Sequence, residues 1–442
     1  MENGKQEVDL LIHAKWIVPV VPQNKVLEAH SLVVDKGKIL ALLPTEECKK
    51  QYQGRDSRKL DKHVLIPGLV NAHTHASMNL LRGVGNDVPL MDWLNNHIWP
   101  LEGKFVSDAF VYDGTRLAAA ESLRGGVTCL NEMYFFPDEA ARAATDMGIR
   151  MVVGLIVIDF PTVWAANADE YLSKGIAVHD SLKSNSLVTT AFAPHAPYTV
   201  SDAPLKKVQT YAEELDVPIH IHVHETADEV AQSVEQHGKR PLARMDELGL
   251  LTPRLLAVHM TQLTDEEITL CAERGISVMH CPESNLKLAS GFCPTAKLSK
   301  AGVNTAIGTD GVASNNDLDM IGEMRTAALL AKGVSGDASA IPAAEALAMA
   351  TINGAKALGL DATIGSLEVG KAADITAVEL GNLENLPVYD VIAQIVYSAS
   401  RYNVSDVWVA GAARLKSRKL VACDEQELLE TAAKWQVKIT KR

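Results

Sequence analysis

The chain has few cysteines, and none lies in a metal-binding or redox spacing. Its six cysteines, at positions 48, 129, 271, 281, 293 and 423, include no C-x-x-C pair. This sparse distribution excludes a disulfide framework and a thiolate zinc site, so we expect buried thiols. Runs of basic residues are also absent, and 42 Lys and Arg against 55 Asp and Glu leave a net charge of −13. The acidic balance disfavours nucleic acid as a partner.

Long apolar runs are lacking as well. The longest, such as 151–158, fall short of the ~18 residues that a membrane span needs, and the start MENGKQEVD has no apolar signal segment. Hydrophobic residues at 47% and charged residues at 22% of 442 are typical of a folded globular chain of one to three domains. We therefore expect a cytoplasmic protein without a membrane partner.

What the sequence does have is a set of eight Val/Ile/Ala-rich runs in its middle. We interpret these runs as strands at 64–71, 127–131, 149–158, 187–193, 217–223, 255–259, 276–281 and 303–308. Segments of helical period separate them, among them 108–126, 202–216 and 265–275. Eight βα units close naturally into a barrel. The sequence predicts an α/β fold, a distorted (β/α)8 TIM barrel over 66–365.

Both ends of the chain have a different texture, with short β-type runs. The first 65 residues predict a small antiparallel sheet. Similar runs return after about residue 365 in GSLEVGKAADITAVEL, VIAQIVYS and VSDVWVAGAARLKSRKL, before a helix near 424–440. Because each end alone has too few strands to bury a face, we expect 1–65 and 366–442 to form one small β-sandwich domain beside the barrel.

Histidines cluster after the predicted barrel strands. His73 and His75 stand two residues apart, so both imidazoles emerge on one side of an extended segment. Taken alone, this pair also fits two polar loop histidines. His220, His222 and His224 alternate in the fifth strand, where buried imidazoles are costly without partners. His222 is favoured as the inward ligand, and the roles of His220 and His224 stay open.

His259 ends the sixth strand and Asp310 ends the eighth. Alone, the first reads as a strand-end histidine and the second as part of an Asp-Gly turn. Together with the other histidines they fall on the C-terminal face, where barrel enzymes place their sites. Imidazoles with one carboxylate suit Zn²⁺, with Fe²⁺ as the alternative, and leave a position for water. Glu225, three residues after His222, is then placed to carry a proton, or else simply starts a helix.

The segments PGLVNAHTHA, HIHVHE, AVH and GTDGVASNN resemble the amidohydrolase superfamily over nearly the whole chain. More narrowly, WPLEGKF, APHAPYTVS, CPESNLKLASG and TDGVASNN are similar to its 5′-methylthioadenosine/S-adenosylhomocysteine deaminase branch. The resemblance implies one divalent metal, with Glu225 and His259 assisting proton transfer. Its implied ligands are His73, His75, His222 and Asp310.

The same resemblance implies contacts with a purine nucleoside. Glu102 would take the ribose hydroxyls and His195 would face the purine, with Trp93 and Ser314 nearby. Without the resemblance, Glu102 reads as a surface acid and Trp93 as a core residue. The implied reaction is hydrolytic deamination of the adenine ring, which releases ammonia and leaves the inosine analogue, and Asp310 would take part beside Glu225.

One departure from the branch bears on the substrate. Members that accept S-adenosylhomocysteine are expected to have arginines after GIR, near the amino-acid carboxylate. Here that stretch has only Arg150, inside a strand, followed by an apolar run. The departure favours uncharged 5′-methylthioadenosine, with adenosine and S-adenosylhomocysteine as further substrates. We also expect a homo-oligomer.

Other functions stay open beside this one. Guanine-type and chlorotriazine-type hydrolases share the one-metal barrel. A two-metal branch bridged by a carboxylated lysine is disfavoured, because the fourth-strand run LVTTAFAPHAPY has no Lys. A catalytically silent scaffold on the same fold is disfavoured by the intact ligand set and by Glu225.

Overall fold

The computed structural model describes residues 4–421 and 423–441, whose strands form two eight-stranded sheets. The N-terminal strands of the first sheet are β1 (Gln6–Ile17), β2 (Leu27–Asp35), β3 (Lys38–Pro44) and β4 (Tyr52–Pro67). The second sheet has β5 (Leu69–Thr74), β6 (Val127–Tyr134), β7 (Arg150–Val157), β8 (Val188–Pro194), β9 (Ile219–Val223), β10 (Leu255–His259), β11 (Ser277–His280) and β12 (Asn304–Ile307). The first sheet is completed by β13 (Ile375–Glu379), β14 (Val404–Val409), β15 (Ala412–Lys416) and β16 (Lys419–Leu420).

Helices follow most strands of the second sheet, and α1 packs on the first sheet. The chain has α1 (Thr45–Gln51), α2 (Leu90–Asp92), α3 (Trp99–Phe105), α4 (Asp108–Arg124), α5 (Pro137–Met147), α6 (Ala168–Leu182), α7 (Asp202–Leu215), α8 (Ala227–His237), α9 (Pro241–Glu247), α10 (Asp265–Arg274), α11 (Pro282–Lys287), α12 (Thr295–Lys300), α13 (Met320–Ser335), α14 (Ala343–Met349), α15 (Ile352–Ala357), α16 (Val391–Tyr397) and α17 (Glu425–Thr440). None of these described helices combines the length and apolar character that a membrane crossing needs.

The second sheet is the predicted barrel. Its strands pair in parallel and in chain order from β5 to β12, and all eight predicted strands are present. The first prediction, 64–71, is wrong in its bounds because it joins the end of β4 to the start of β5. At Gly68, between the two strands, an added Cβ would lie 2.1 Å from Thr128 Oγ1. The close approach demands glycine where the chain passes from one sheet to the other.

The barrel meets itself where β12 returns to β5. No ladder joins these two strands in the described residues, so the barrel is distorted at this seam. The N–H of Asp310 donates to the carbonyl of His73 at 3.0 Å, which ties the two strand ends together. A Cβ on Gly308 would lie 2.6 Å from the nitrogen of His73, so glycine is required for this approach as well.

The first sheet combines both termini, as the sequence predicts. Its strand order is β16-β15-β14-β13-β4-β1-β2-β3. The prediction of a purely antiparallel N-terminal sheet is wrong, since β1 pairs with β4 in parallel. The sheet curls on itself and brings its edge strand β3 next to the segment that precedes β13. There the N–H of Ile39 donates to the carbonyl of Lys371 at 2.9 Å. Ile12, Leu32 and Trp408 share the enclosed core, so the sandwich forms from one continuous sheet.

The predicted strand VIAQIVYS is helix α16, which corrects the sequence reading. The Asp390 carboxylate accepts the N–H groups of Ile392 and Ala393, at 2.9 and 3.0 Å, and so caps the helix. The closing helix α17 lies against the barrel helix α4. There Trp435 Nε1 donates to Asp113 Oδ2 at 2.8 Å. The buried-thiol prediction holds for five of the six cysteines, and Cys423 is partly exposed.

Candidate metal centre and substrate cavity

Four predicted ligands converge at the C-terminal end of the barrel. One nitrogen or oxygen from each of His73, His75, His222 and Asp310 lies within 4.8 Å of the others. The Nε2 atoms of His73 and His75 are each 3.2 Å from Asp310 Oδ1. His222 Nε2 is 3.2 Å from His73 Nε2. Strand β5, strand β9 and the end of β12 therefore aim their side chains at one point.

The other ring nitrogen of each histidine already has a partner. The Nδ1 contacts are His73 to His220 Nε2 at 2.8 Å, His75 to the Met133 carbonyl at 2.6 Å, and His222 to the His195 carbonyl at 2.8 Å. Such outer contacts fix the orientation of metal-binding imidazoles and leave Nε2 for the ion. Three Nε2 atoms and one carboxylate make four ligands, which fit a Zn²⁺ ion with a fifth position left for water.

Burial prepares His73 and His222 to act as ligands. It lowers the pKa of His73 to about 4 and the pKa of His222 well below its ordinary value. Both imidazoles are therefore neutral at pH 7 and offer their lone pairs. Burial opposes the charge of Asp310, yet the imidazoles of His73 and His75 hold the pKa of this carboxyl well below its usual range.

The neighbours of Asp310 hold its carboxylate in place. Ser284 and Ser314 donate their hydroxyls to Oδ2, at 2.6 and 2.9 Å. The backbone is left-handed at Asp310, with φ of 62°, and at His259, with φ of 74°. Such a conformation costs about 1–3 kcal/mol at a residue other than glycine and is common at functional sites.

Glu225 and His259 face each other beside the ligands. His259 Nε2 lies 3.7 Å from Glu225 Oε2, while His259 Nδ1 contacts Asn285 Oδ1 at 2.9 Å. Burial raises the pKa of Glu225, which favours its neutral, proton-donating form. The Glu229 carboxylate accepts the N–H groups of His224 and Glu225, at 2.9 and 2.7 Å, and so holds this loop. Sequence reasoning assigned no chemistry to Asn285 and missed Glu229.

His220 and His224, whose roles the sequence left open, lie in different surroundings. His220 supports His73 through the Nδ1 contact. His224 does not line the cavity, since its Nε2 lies 3.6 Å from Glu267 Oε1 and accepts the N–H of Leu242 at 3.2 Å. The strand period alone would have pointed both the same way, but His224 has a φ of 54°, which turns it away.

A cavity of about 240 Å³ opens above the centre. Every residue predicted to contact substrate lines it, namely Trp93, Glu102, His195 and Ser314. Burial lowers the pKa of His195 to about 3, so this imidazole is neutral. Trp99, Tyr134 and Phe160 also line the cavity and escaped sequence reasoning, because nothing in their local pattern separates them from core aromatics.

The cavity wall has no lysine or arginine among the described residues. Arg150 starts β7 at the opposite end of the barrel, where its Nε donates to Asp374 Oδ2 at 2.7 Å. Arg82 is held by Glu121 and by Asn79. Both guanidinium groups are engaged by other residues, and neither lines the cavity.

Several known proteins are similar to this chain over nearly its whole length. The chain is 48% identical over 432 residues to a 5-methylthioadenosine/S-adenosylhomocysteine deaminase of Teredinibacter turnerae, covering 98% of each. It is 40% identical to a 5′-deoxyadenosine deaminase of Methanopyrus kandleri, covering 96% of this chain and 98% of the relative. The crystal structure of an adenosine deaminase from Xanthomonas campestris with bound zinc superposes with a TM-score of 0.98 at 53% identity, covering 99% and 100% of the two chains. The amidohydrolase family pattern matches residues 64–414, and the chain belongs to this family.

Proposed function

We propose that this chain is a metal-dependent deaminase acting on the adenine ring of 5′-methylthioadenosine, with release of ammonia. One observation carries the proposal: three imidazoles, a carboxylate and a protonatable glutamate meet in a cavity whose wall also holds Glu102. Similarity at 40–53% identity to proteins named as deaminases of adenine nucleosides supports it over guanine-type or chlorotriazine-type hydrolysis. Residues 66–365 would be the catalytic domain.

Zn²⁺ would be held by His73, His75, His222 and Asp310. When bound, such an ion supplies a Lewis acid that makes water nucleophilic at neutral pH. These four side chains therefore set where the attacking water stands relative to the substrate ring.

Glu225 and His259 would move the protons. Neutral Glu225 donates its proton to N1 of adenine, which makes C6 more electrophilic. His259 Nδ1 contacts the Asn285 oxygen, which orients the ring so that Nε2 lies on the side of Glu225. Asp310 and His259 hold the water and pass its proton to the 6-amino group. A carbon–oxygen bond forms at C6, the carbon–nitrogen bond breaks as ammonia leaves, and the remaining hydroxyl proton passes from O6 to Glu225, which restores the acid and gives the 6-oxo product.

The rest of the cavity would select the nucleoside. Glu102 would accept hydrogen bonds from the ribose hydroxyls, while His195 and Trp93 contact the base and Ser314 steadies Asp310. The zwitterionic tail of S-adenosylhomocysteine would lose its hydration against a wall without lysine or arginine. An uncharged methylthio group meets no such cost. We expect 5′-methylthioadenosine first, adenosine second and S-adenosylhomocysteine last.

Metal analysis and ammonia release test the proposal together. The purified chain should contain about one zinc per chain. The quantity to compare is kcat/KM for 5′-methylthioadenosine, adenosine, S-adenosylhomocysteine and guanine under one set of metal and salt conditions. A preference for S-adenosylhomocysteine would contradict the tail argument, and a preference for guanine would overturn the proposed function. Cytoplasmic location and homo-oligomeric assembly also stay proposals from the sequence, and light scattering checks the second.

A further inference from the structure

Tyr134 touches the residue assigned to the ribose. It ends β6 on the cavity wall, and its hydroxyl donates to Glu102 Oε1 at 2.6 Å. Within the described residues, this is the one hydrogen bond that the Glu102 carboxylate makes. Glu102 itself lies on α3, a seven-residue helix in the long segment between β5 and α4. The Tyr134 hydroxyl thus links helix α3, which carries Glu102, to barrel strand β6.

The contact controls both the orientation and the charge of Glu102. A glutamate side chain has three rotatable torsions, and a fixed partner at Oε1 leaves Oε2 for a substrate hydroxyl. Burial raises the pKa of Glu102, and the bond from Tyr134 opposes this rise, so the contact favours the ionised acceptor. The pKa of Tyr134 is raised well above its ordinary value by burial and by Glu102, so the phenol keeps its proton and stays a donor.

We propose that Tyr134 is a positioning residue that sets ribose selectivity by orienting the Glu102 carboxylate toward the ribose hydroxyls. The inference rests on the proposed function, in which Glu102 receives those hydroxyls. Tyr134 touches Glu102 and is assigned no contact with the reacting atoms, so its effect falls on recognition of the sugar and not on the chemical step.

The test is the ratio of kcat/KM for adenosine over 3′-deoxyadenosine, two substrates that differ by one hydroxyl. The wild-type chain should favour adenosine, and E102A should bring the ratio close to one. Y134F should lower the ratio about tenfold, which is the size expected for loss of a hydrogen bond to a charged group. The zinc content of Y134F should stay near wild type. In the double variant Y134F/E102A the ratio should equal that of E102A.

A matched control comes from a second tyrosine–carboxylate pair. The Tyr112 hydroxyl donates to Asp146 Oδ2 at 2.8 Å on the outer helices, so Y112F removes the same kind of bond away from the cavity. Its ratio should match wild type. An equal loss of kcat/KM for both substrates in Y134F would give Tyr134 a merely structural role and overturn the inference. If the wild-type chain released no ammonia from any adenine nucleoside, the proposed function itself would fail.

Discussion

At the residue scale, each nitrogen of the His73 ring faces a different group. Nε2 lies 3.2 Å from Asp310 Oδ1, and Nδ1 lies 2.8 Å from His220 Nε2. His220 is not itself a metal ligand, yet its contact with Nδ1 determines the direction in which Nε2 of His73 points. Substitution of His220 therefore leaves all four ligands in place and changes only the orientation of His73.

H220A should weaken zinc binding about 10- to 100-fold, because His73 loses its orienting partner. H220Q should retain more affinity, since its amide oxygen can accept the Nδ1 hydrogen of His73. Competition with a zinc chelator measures both. As a control, H179A removes an imidazole that contacts Thr190 Oγ1 at 2.7 Å, far from the ligands, and should leave zinc binding unchanged. Equal affinities for H220A and wild type would refute the orienting role.

Substitutions of Asp310 and Glu225 should distinguish metal binding from proton transfer. D310A removes a ligand and should lose both zinc and activity. E225Q removes a proton carrier but no ligand, so it should keep zinc while kcat falls about 100-fold or more. Zinc content and single-turnover deamination, measured on the same preparations, give the comparison. Normal turnover by E225Q would show that another group carries the proton.

At the element scale, Gly68 packs closely against Thr128 at the junction of β4 and β5, just before the first ligands. G68A would bring a methyl group within 2.1 Å of Thr128 Oγ1 and 2.3 Å of its Cγ2. Overpacking of this kind costs about 1–3 kcal/mol, and the displaced strand carries His73 and leads directly into His75. We expect a lower melting temperature together with lower zinc affinity.

The T128A change should partly rescue G68A, because it removes the clashing Oγ1 and Cγ2 and leaves only Thr128 Cβ, 2.7 Å from the added Cβ. G333A supplies a matched control, since Gly333 lies inside α13 with no atom within 4 Å of an added Cβ. Alanine there should leave stability unchanged or raise it. A wild-type melting temperature for G68A would disprove the steric argument.

The first turn of α13 has a buried acid whose ionisation should oppose folding. Glu323 is fully buried and accepts the N–H of Glu283 at 3.3 Å, and burial raises its pKa well above the ordinary 4.5. The unfolded chain ionises Glu323 near 4.5, whereas the folded chain keeps it neutral to higher pH. Between these two pKa values the free energy of unfolding therefore falls as pH rises.

E323Q cannot ionise and should lack this dependence. The melting temperature of wild type minus that of E323Q should decrease as the pH rises above about 4.5, and should level off above the raised pKa of the folded state. Thermal unfolding of both proteins across pH measures the difference. Parallel curves for the two proteins would show that Glu323 ionises normally in the folded chain.

At the scale of the whole molecule, one buried ion pair joins the barrel to the terminal sheet. Arg150 donates through Nε to Asp374 Oδ2 at 2.7 Å and through Nη2 to Oδ1 at 3.1 Å. The N–H of Ala410 also donates to Asp374 Oδ1, at 2.8 Å. The pair lies at the N-terminal end of β7, away from the cavity.

D374A should cost about 3–5 kcal/mol, because it leaves the Arg150 charge buried without a carboxylate partner. The double variant R150M/D374L removes both charges and should cost much less. Denaturant unfolding reports the free energies, and kcat of the folded protein should stay at the wild-type value in each variant. If D374A were as stable as R150M/D374L, the unpaired Arg150 charge would not be costly, and the proposed role of the ion pair would be wrong.

The sequence by itself determined the barrel, the paired termini and the residues at the centre. Strand and helix periods are local properties, so eight apolar runs and their intervening helices could be counted without a structure. The ligands His73, His75, His222 and Asp310 also follow strand ends, and a parallel barrel brings all such ends to one face. Proximity of these side chains is thus a consequence of the fold class.

Only the tertiary structure decided where some strands and helices begin and end, and which residues orient the metal ligands and the cavity side chains. The run 64–71 belongs to two sheets, and 391–397 is a helix although its composition favours a strand. The contacts of His220 with His73, Asn285 with His259, and Tyr134 with Glu102 join residues 147, 26 and 32 positions apart. Local pattern carries no information about such partners, because burial and side-chain direction are set by the packing of distant segments.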